Sequence, residues 1–109
     1  MIGAMREFSW SPAEKKIARA AFDRAYEREC LSIRREVESM LRGRDAQVIW
    51  RVEEYLHKRR REIDDKYDFR YSVLMLLFIR LYAEGLLTDE DLEGLRDDKL
   101  QFIKESPAL

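Results

Sequence analysis

The residues best suited to chemistry are Glu54 and His57, which stand three positions apart. On a helix this spacing places a carboxylate and an imidazole on one face, as in the di-iron sites of helical bundles. Such a site needs a second Glu-x-x-His pair, and the sequence contains a single histidine. The chain also lacks a Gly-rich phosphate loop and a nucleophile–histidine combination. We therefore predict a protein that binds no metal or cofactor and is not an enzyme.

The densest basic cluster is His57-Lys58-Arg59-Arg60-Arg61. Its charges could pair with neighbouring acids on a solvated helix face, grip an acidic protein surface, or contact nucleic acid. The formal net charge of -1 provides no general attraction to nucleic acid. We expect a protein partner and no nucleic acid, because the planar arginine fork suits specific binding of carboxylates. The sequence leaves the self-paired face and the acidic partner as open alternatives.

Aromatic and charged side chains follow one another along the same predicted helix at steps of three and four residues. Tryptophan there is explained equally well by packing in a core or by anchoring an interface, where it is over-represented. We name the series the Trp50 strip and predict that it binds a partner. It consists of Trp50, Glu53, Glu54, His57, Arg60 and Arg61.

Helical periodicity extends over most of the chain. Ser11-Pro12-Ala13-Glu14 combines an N-cap serine, a proline at the first helical position and a glutamate that can complete a capping box. Asp45 and Thr88 are further capping candidates, and Gly43 and Gly85 are candidate helix ends. The predicted helices cover residues 11–42, 45–67, 70–84 and 88–105, with Gly94 as a candidate break in the last.

These elements predict an all-α fold in a single domain, residues 1–109. The tight turn at Gly43-Arg44 makes the two long helices pack antiparallel as a stalk, and the two shorter helices form a C-terminal head. A two-helix stalk leaves apolar surface uncovered, and a second copy is the simplest cover for it. We therefore expect a homodimer that pairs two stalks in a dimeric four-helix-type bundle.

Composition supports a helical protein of the cytoplasm. Hydrophobic residues form 46% of the chain and charged residues 39%, which is typical of long amphipathic helices. The single cysteine, Cys30, suits a reducing compartment. The longest apolar run, 73–79, is far shorter than the roughly 20 residues that span a bilayer, so we expect no membrane insertion.

Several blocks of the sequence form a recognisable pattern. They are Trp10-Ser11-x-Ala13-Glu14, Phe22-x-x-Ala25-Tyr26-x-Arg28-Glu29, Trp50-x-x-x-x-Tyr55-Leu56-x-x-Arg59-Arg60-x-Glu62-Ile63-Asp64-x-Lys66-Tyr67-Asp68-x-Arg70-x-Ser72-Val73, Glu84-Gly85-Leu86 and Asp98-Lys99. In this order and over nearly the whole chain, the blocks resemble the cyanobacterial fluorescence recovery protein family.

The resemblance implies an all-α homodimer without enzymatic activity. In that family the dimer binds the C-terminal domain of the photoactivated orange carotenoid protein, speeds its return to the orange form and so ends quenching of the phycobilisome. The resemblance implies that Trp50 and Arg60 belong to the functional patch and that Ile49 lies on the dimer-forming stalk. Val52 and Leu56 share the apolar stripe of that helix and are predicted to join the dimer interface.

The chain departs from the family within this patch. The resemblance implies a histidine and an aspartate where Glu53 and Glu54 stand, and an aromatic residue and a lysine where Leu76 and Phe102 stand. The scaffold is thus better preserved than the binding surface. The alternative function is a helical adaptor dimer of the same fold with a different protein partner, in a bacterium without phycobilisomes.

Overall fold

The computed structural model describes residues 8–107, and within them the regular structure is entirely helical. This confirms the predicted fold class. The elements are α1 (Pro12–Met40), α2 (Val48–Lys66), α3 (Tyr71–Ala83), a 3₁₀ turn (Glu90–Leu92) and α4 (Asp97–Glu105).

Helix α1 begins with the predicted capping box. The Ser11 hydroxyl accepts the Glu14 N–H at 3.1 Å, and the Glu14 carboxylate accepts the Ser11 N–H at 3.1 Å. Helix α2 begins three residues later than predicted, because the Asp45 carboxylate accepts the Gln47 N–H at 2.9 Å and holds a turn ahead of the helix. Gly43 occupies the left-handed region between the two helices.

Helices α1 and α2 run antiparallel, as the tight turn predicts. Arg59 of α2 contacts Glu29 of α1, whereas Tyr67, farther along the chain, stacks edge-on against Phe22, which lies earlier in α1. Contacts therefore move backward along α1 as they move forward along α2. The stalk is the pair α1–α2, and the head contains α3, the 3₁₀ turn and α4 packed on the first half of α1.

The prediction of the fourth helix is wrong over the first half of its range. Residues 88–105 do not form one helix but a 3₁₀ turn at Glu90–Leu92 followed by α4 at Asp97–Glu105. Gly94 separates them with a φ of 101°, which a right-handed helix cannot contain. A Cβ at Gly94 would lie 2.6 Å from the Ile17 Cδ1 atom, so the end of the Ile17 side chain would have to shift to admit one.

The core lies in the head. Helix α3 contributes six buried residues, in agreement with its continuous apolar sequence, and α1 contributes small residues that allow close packing. The core residues are Ala18, Ala21, Phe22, Ala25, Leu74, Met75, Leu77, Phe78, Leu81, Leu87, Leu92, Leu95 and Ile103. Helix α2 buries only Ile63 and Lys66, both in its last turn, so the far part of the stalk has no such core.

A buried ion pair joins the start of α1 to α4. The Lys99 ammonium, in a residue only 1% exposed, contacts the two Glu14 carboxylate oxygens at 3.1 and 3.0 Å. The Arg96 N–H donates to the same carboxylate at 3.0 Å. Burial raises the Glu14 pKa, but the Arg96 and Ser11 N–H groups and the Lys99 ammonium lower it more, to about 2.

A second buried network holds the stalk to the head. The Glu29 carboxylate of α1 accepts from Arg59 at 2.6 Å, from the Lys66 ammonium at 2.9 Å and from the Tyr67 hydroxyl at 2.8 Å. Lys66 also donates to Glu84 at the end of α3. Burial and the hydrogen bond to Glu29 both raise the Tyr67 pKa, so the phenol stays protonated and donates.

None of the helices in the described part of the chain is long and apolar enough to cross a membrane.

Stability should fall in acid partly because of Glu14. Its carboxyl has a pKa near 4.5 when unfolded and about 2 when folded, so its contribution is complete above pH 4.5 and disappears toward pH 2. We expect Glu14→Gln to cost about 3 kcal/mol of unfolding free energy at neutral pH and to flatten the acid dependence. Urea unfolding at several pH values measures this, with the exposed Glu36→Gln as control. Equal acid dependence in both variants would contradict the assignment.

The Glu29 network should stabilise the junction of stalk and head. Glu29→Gln leaves the half-buried Arg59 and the buried Lys66 short of negative charge, which should cost about 3 kcal/mol. Glu62→Gln is the matched control, because Glu62 touches the same Arg59 from the surface and should cost less than about 1 kcal/mol. Urea unfolding followed by circular dichroism, at one protein concentration, compares them. Similar losses of unfolding free energy in the two variants would show that burial of Glu29 adds nothing to stability.

Candidate functional site

The least exposed residues of α2 recur every three or four positions and define the side that faces α1. They are Val48, Val52, Tyr55, Arg59, Ile63 and Lys66. Arg59 and Lys66 contact Glu29 of α1, which fixes the direction of this side. The six residues of the Trp50 strip are all exposed and lie on the rest of the helix surface. The structure therefore brings the predicted partner-binding residues together on one accessible helix.

Trp50 is 57% exposed, the highest exposure among the large hydrophobic side chains of the described chain. The interpretation of Trp50 as a core residue is therefore wrong for a single copy of the chain. An indole left this open at the surface has a large apolar area available for a partner.

The basic run separates into residues with different roles. Arg59 is turned inward and binds Glu29, and its Nε also lies 3.2 Å from Glu62, without the angle of a hydrogen bond. Arg60 pairs with Asp64 at 3.4 Å on the surface. Within residues 8–107, the side chains of His57, Lys58 and Arg61 make no ion pair or hydrogen bond. The same holds for the side chains of Glu53 and Glu54. A fully self-paired face thus does not describe this helix.

The three predicted interface residues do not share one orientation. Ile49 is 53% exposed and Leu56 is 42% exposed, and their spacing of seven positions places both on one flank of α2. Val52 is half-buried on the side that faces α1. Leu41, at the end of α1, adds a further side chain that is 51% exposed. The far part of the stalk therefore carries uncovered apolar surface.

A groove between α1 and α2 adds residues that the sequence analysis did not select. It has a volume of about 380 Å³ and lies where the stalk meets the head, and we call it the stalk groove. Its lining residues are Arg19, Phe22, Asp23, Tyr26, Arg60, Ile63, Asp64 and Tyr67. Arg60 belongs to both the Trp50 strip and this groove. The sequence singles out Tyr26 only within a block of the family pattern, so only the three-dimensional structure identifies it as groove-lining.

Tyr26 lies on the rim of the stalk groove and is 44% exposed. A hydrogen bond with the Cys30 thiol is the first cause that raises the Tyr26 pKa, and the Asp64 charge also raises it while Arg60 opposes the shift. At neutral pH the rim therefore offers a phenol and not a phenolate.

No group of three or more His, Cys, Asp or Glu side chains in residues 8–107 is arranged to hold a metal ion. The Glu54 and His57 side chains are both exposed on α2. The geometry of this surface is suited to contact with another macromolecule, because its groups point to solvent from a regular helix.

Comparisons with known proteins agree on one family. The model of the family described as photoprotection regulator fluorescence recovery protein matches residues 10–105. The fluorescence recovery protein of Synechocystis sp. PCC 6803 is 38% identical over 100 residues, which cover 90% of this chain and 91% of that protein.

Solved structures give the same result. The fluorescence recovery protein of Fremyella diplosiphon is 42% identical with a TM-score of 0.76, and the match covers 87% of this chain and 94% of that one. The Synechocystis protein structure is 37% identical with a TM-score of 0.78, and the match covers 88% and 95%. The all-helical fold, the extent of the match and the level of identity establish that this chain belongs to the fluorescence recovery protein family of photoprotection regulators.

Proposed function

We propose that this protein is a non-catalytic homodimeric regulator that binds the C-terminal domain of the photoactivated orange carotenoid protein. Binding accelerates the return of that protein to its orange form and so ends quenching of the phycobilisome. The observation that carries the proposal is the Trp50 strip, an exposed row of aromatic and mostly unpaired charged side chains on α2 in a member of this family. The cytoplasm stays the predicted site of action.

The strip has the features of a docking surface. Trp50 offers a large apolar anchor, and Arg60 and Arg61 offer planar groups that bind carboxylates. All of them extend from one helix whose orientation is fixed by Arg59 and Lys66 on Glu29. A surface on a rigid helix loses little conformational entropy when a partner docks.

Acceleration by binding has a physical requirement. The regulator must bind the partner more tightly in the states on the way back to the orange form than in the starting red form. Equal affinity for all states would leave the recovery rate unchanged. A chain without catalytic groups can therefore act as a regulator through differential affinity alone.

Dimerisation would cover the apolar flank of the stalk. Ile49, Leu56 and Leu41 are each more than two-fifths exposed in one copy, and burial of apolar area stabilises association by about 25 cal/mol per Å² before its entropy cost. A second copy packed by two-fold symmetry uses the same patch twice. Two stalks together would form the four-helix bundle that the sequence predicts.

The alternative is a helical adaptor dimer with a different protein partner. It is favoured by Glu53 and Glu54, whose carboxylates are exposed and unpaired within the described chain, at positions where the family is expected to carry a histidine and an aspartate. Two negative charges beside Arg60 and His57 change the pattern that a partner must complement.

The deciding experiment is recovery of a photoactivated orange carotenoid protein in the dark. The red-to-orange absorbance change is followed with and without this protein. Acceleration at substoichiometric to equimolar amounts supports the proposed partner. An unchanged recovery rate would favour the adaptor alternative.

Arg60→Leu should abolish the acceleration, because the strip would lose the Arg60 guanidinium, which also lines the stalk groove. The dimer should persist, since Arg60 is highly exposed and pairs only with Asp64 in the described chain. Arg34→Leu is the matched control, because Arg34 forms the same kind of surface pair with Glu38 on α1. Recovery kinetics and light scattering after size exclusion measure the two effects. Full activity of Arg60→Leu would remove Arg60 from the binding surface.

Ile49→Glu should separate the dimer, because it would bury a carboxylate in an apolar seam at a cost of several kcal/mol. The control is Leu31→Glu, which changes another exposed leucine on the stalk, 41% accessible, outside the predicted interface. Sedimentation velocity at micromolar concentration reports the oligomeric state. A dimer that survives Ile49→Glu would refute the placement of the interface at Ile49.

A further inference from the structure

Arg19 of α1 is held in place although its side chain is 57% exposed. Its guanidinium carbon lies 5.2 Å from the centre of the Phe22 ring and 4.8 Å from the centre of the Phe69 ring. Its Nε lies 3.3 Å from the Asp23 carboxylate. Stacking on two rings limits the rotamers of a long side chain, so less entropy is lost when it binds a ligand.

Arg60 of α2 also lines the stalk groove and repeats the aspartate pair of Arg19. Its Nε lies 3.4 Å from Asp64, so each arginine pairs with the aspartate four positions later through Nε. Arg60 hydrogen-bonds Asp64 through Nε, whereas the Arg19–Asp23 contact is an ion pair only. The terminal nitrogens of both guanidinium groups form no hydrogen bond with residues 8–107, which leaves at least four N–H donors on each. Exposed pairs of this kind contribute at most about 1 kcal/mol, so an incoming carboxylate can compete with the aspartates at little cost.

Between the two arginines the stalk groove has an aromatic and aliphatic floor. Phe22 and Ile63 are buried there, and Tyr67 stands edge-on to Phe22 with ring centres 5.4 Å apart. The volume of about 380 Å³ has room for a few side chains of a peptide segment. An apolar floor beneath two guanidinium groups is complementary to an acidic residue with an apolar neighbour.

We infer that the stalk groove is the docking site for an acidic segment of the protein partner, with its carboxylates held by Arg19 and Arg60. A neighbouring apolar side chain of that segment packs on Phe22 and Tyr67. The binding surface therefore extends from the Trp50 strip of α2 across to α1. This inference rests on the proposed function in one respect, namely that the protein works by binding another protein.

A pair of labelled peptides tests the groove directly. The first is fluorescein-Gly-Phe-Glu-Leu-Glu-Phe-Gly, and the second has glutamine in place of each glutamate. The native chain should bind the glutamate peptide more tightly than the glutamine peptide in fluorescence anisotropy. Arg19→Gln should weaken binding of the glutamate peptide by about tenfold or more and leave binding of the glutamine peptide unchanged.

Arg34→Gln is the matched control for this experiment. Arg34 also uses Nε for a pair with the acid four positions later, at 3.2 Å, but it does not line the stalk groove. Its peptide affinities should equal those of the native chain. Equal effects of Arg19→Gln and Arg34→Gln, or no preference of the native chain for the glutamate peptide, would overturn the inference.

Two further measurements separate the possible failures. Light scattering after size exclusion of Arg19→Gln should give the mass of the native protein; loss of a native dimer would show that a second copy covers the groove and would overturn the inference. Carotenoid-protein recovery tests the proposed function separately. If the native chain binds the peptide in a glutamate-dependent way but does not accelerate recovery, the stalk groove remains the docking site and the orange carotenoid protein is rejected as the partner. If Arg19→Gln accelerates recovery as the native chain does, the stalk groove is rejected as the docking site and the orange carotenoid protein remains the partner.

Discussion

The structure depends on one buried carboxylate, that of Glu29. It lies where α1, α2 and the loop to α3 meet, and it accepts hydrogen bonds from Arg59, Lys66 and Tyr67. Replacing this carboxylate by an apolar side chain would remove an acceptor shared by three donors and leave Lys66 with Glu84 and Arg59 with Glu62 as their remaining acidic partners. Because Lys66 also binds Glu84, the same network links the stalk to the end of α3. The relative position of stalk and head thus follows from electrostatics as well as from the core.

This network also decides which face of α2 is available to a partner. Successive residues of a helix point about 100° apart, so fixing Arg59 on Glu29 leaves Arg60 and Arg61 exposed on other sides of α2. The basic run is therefore one inward arginine that orients the helix and several outward groups that can bind. Arg60 is placed at the edge of the stalk groove by the same geometry.

Local sequence signals predicted the elements but not the long-range polar contacts. The capping box of Ser11 and the apolar run of α3 are local, and the structure has helices at both places. The buried lysines could not be found in this way, because Lys66 and Lys99 meet carboxylates 37 and 85 positions away. The prediction of a continuous fourth helix failed at Gly94. Its residue type marks a candidate break, but the φ of 101° that interrupts the helix is a feature of the folded backbone. The exposure of Trp50 likewise followed from the orientation of α2 and not from its residue type.

The uneven distribution of the core explains why binding surface and stability coexist in so short a chain. Burial is concentrated in the head, where α3 and the small residues of α1 pack closely, and a core of this size can stabilise the fold. The far stalk keeps Leu41, Ile49 and Trp50 more than half exposed, at a hydrophobic cost that the head must offset. Apolar surface carried at such a cost is expected to be covered in the functional assembly. We therefore propose that the extension of a long stalk beyond the packed head serves two contacts, one with a second copy and one with a client protein.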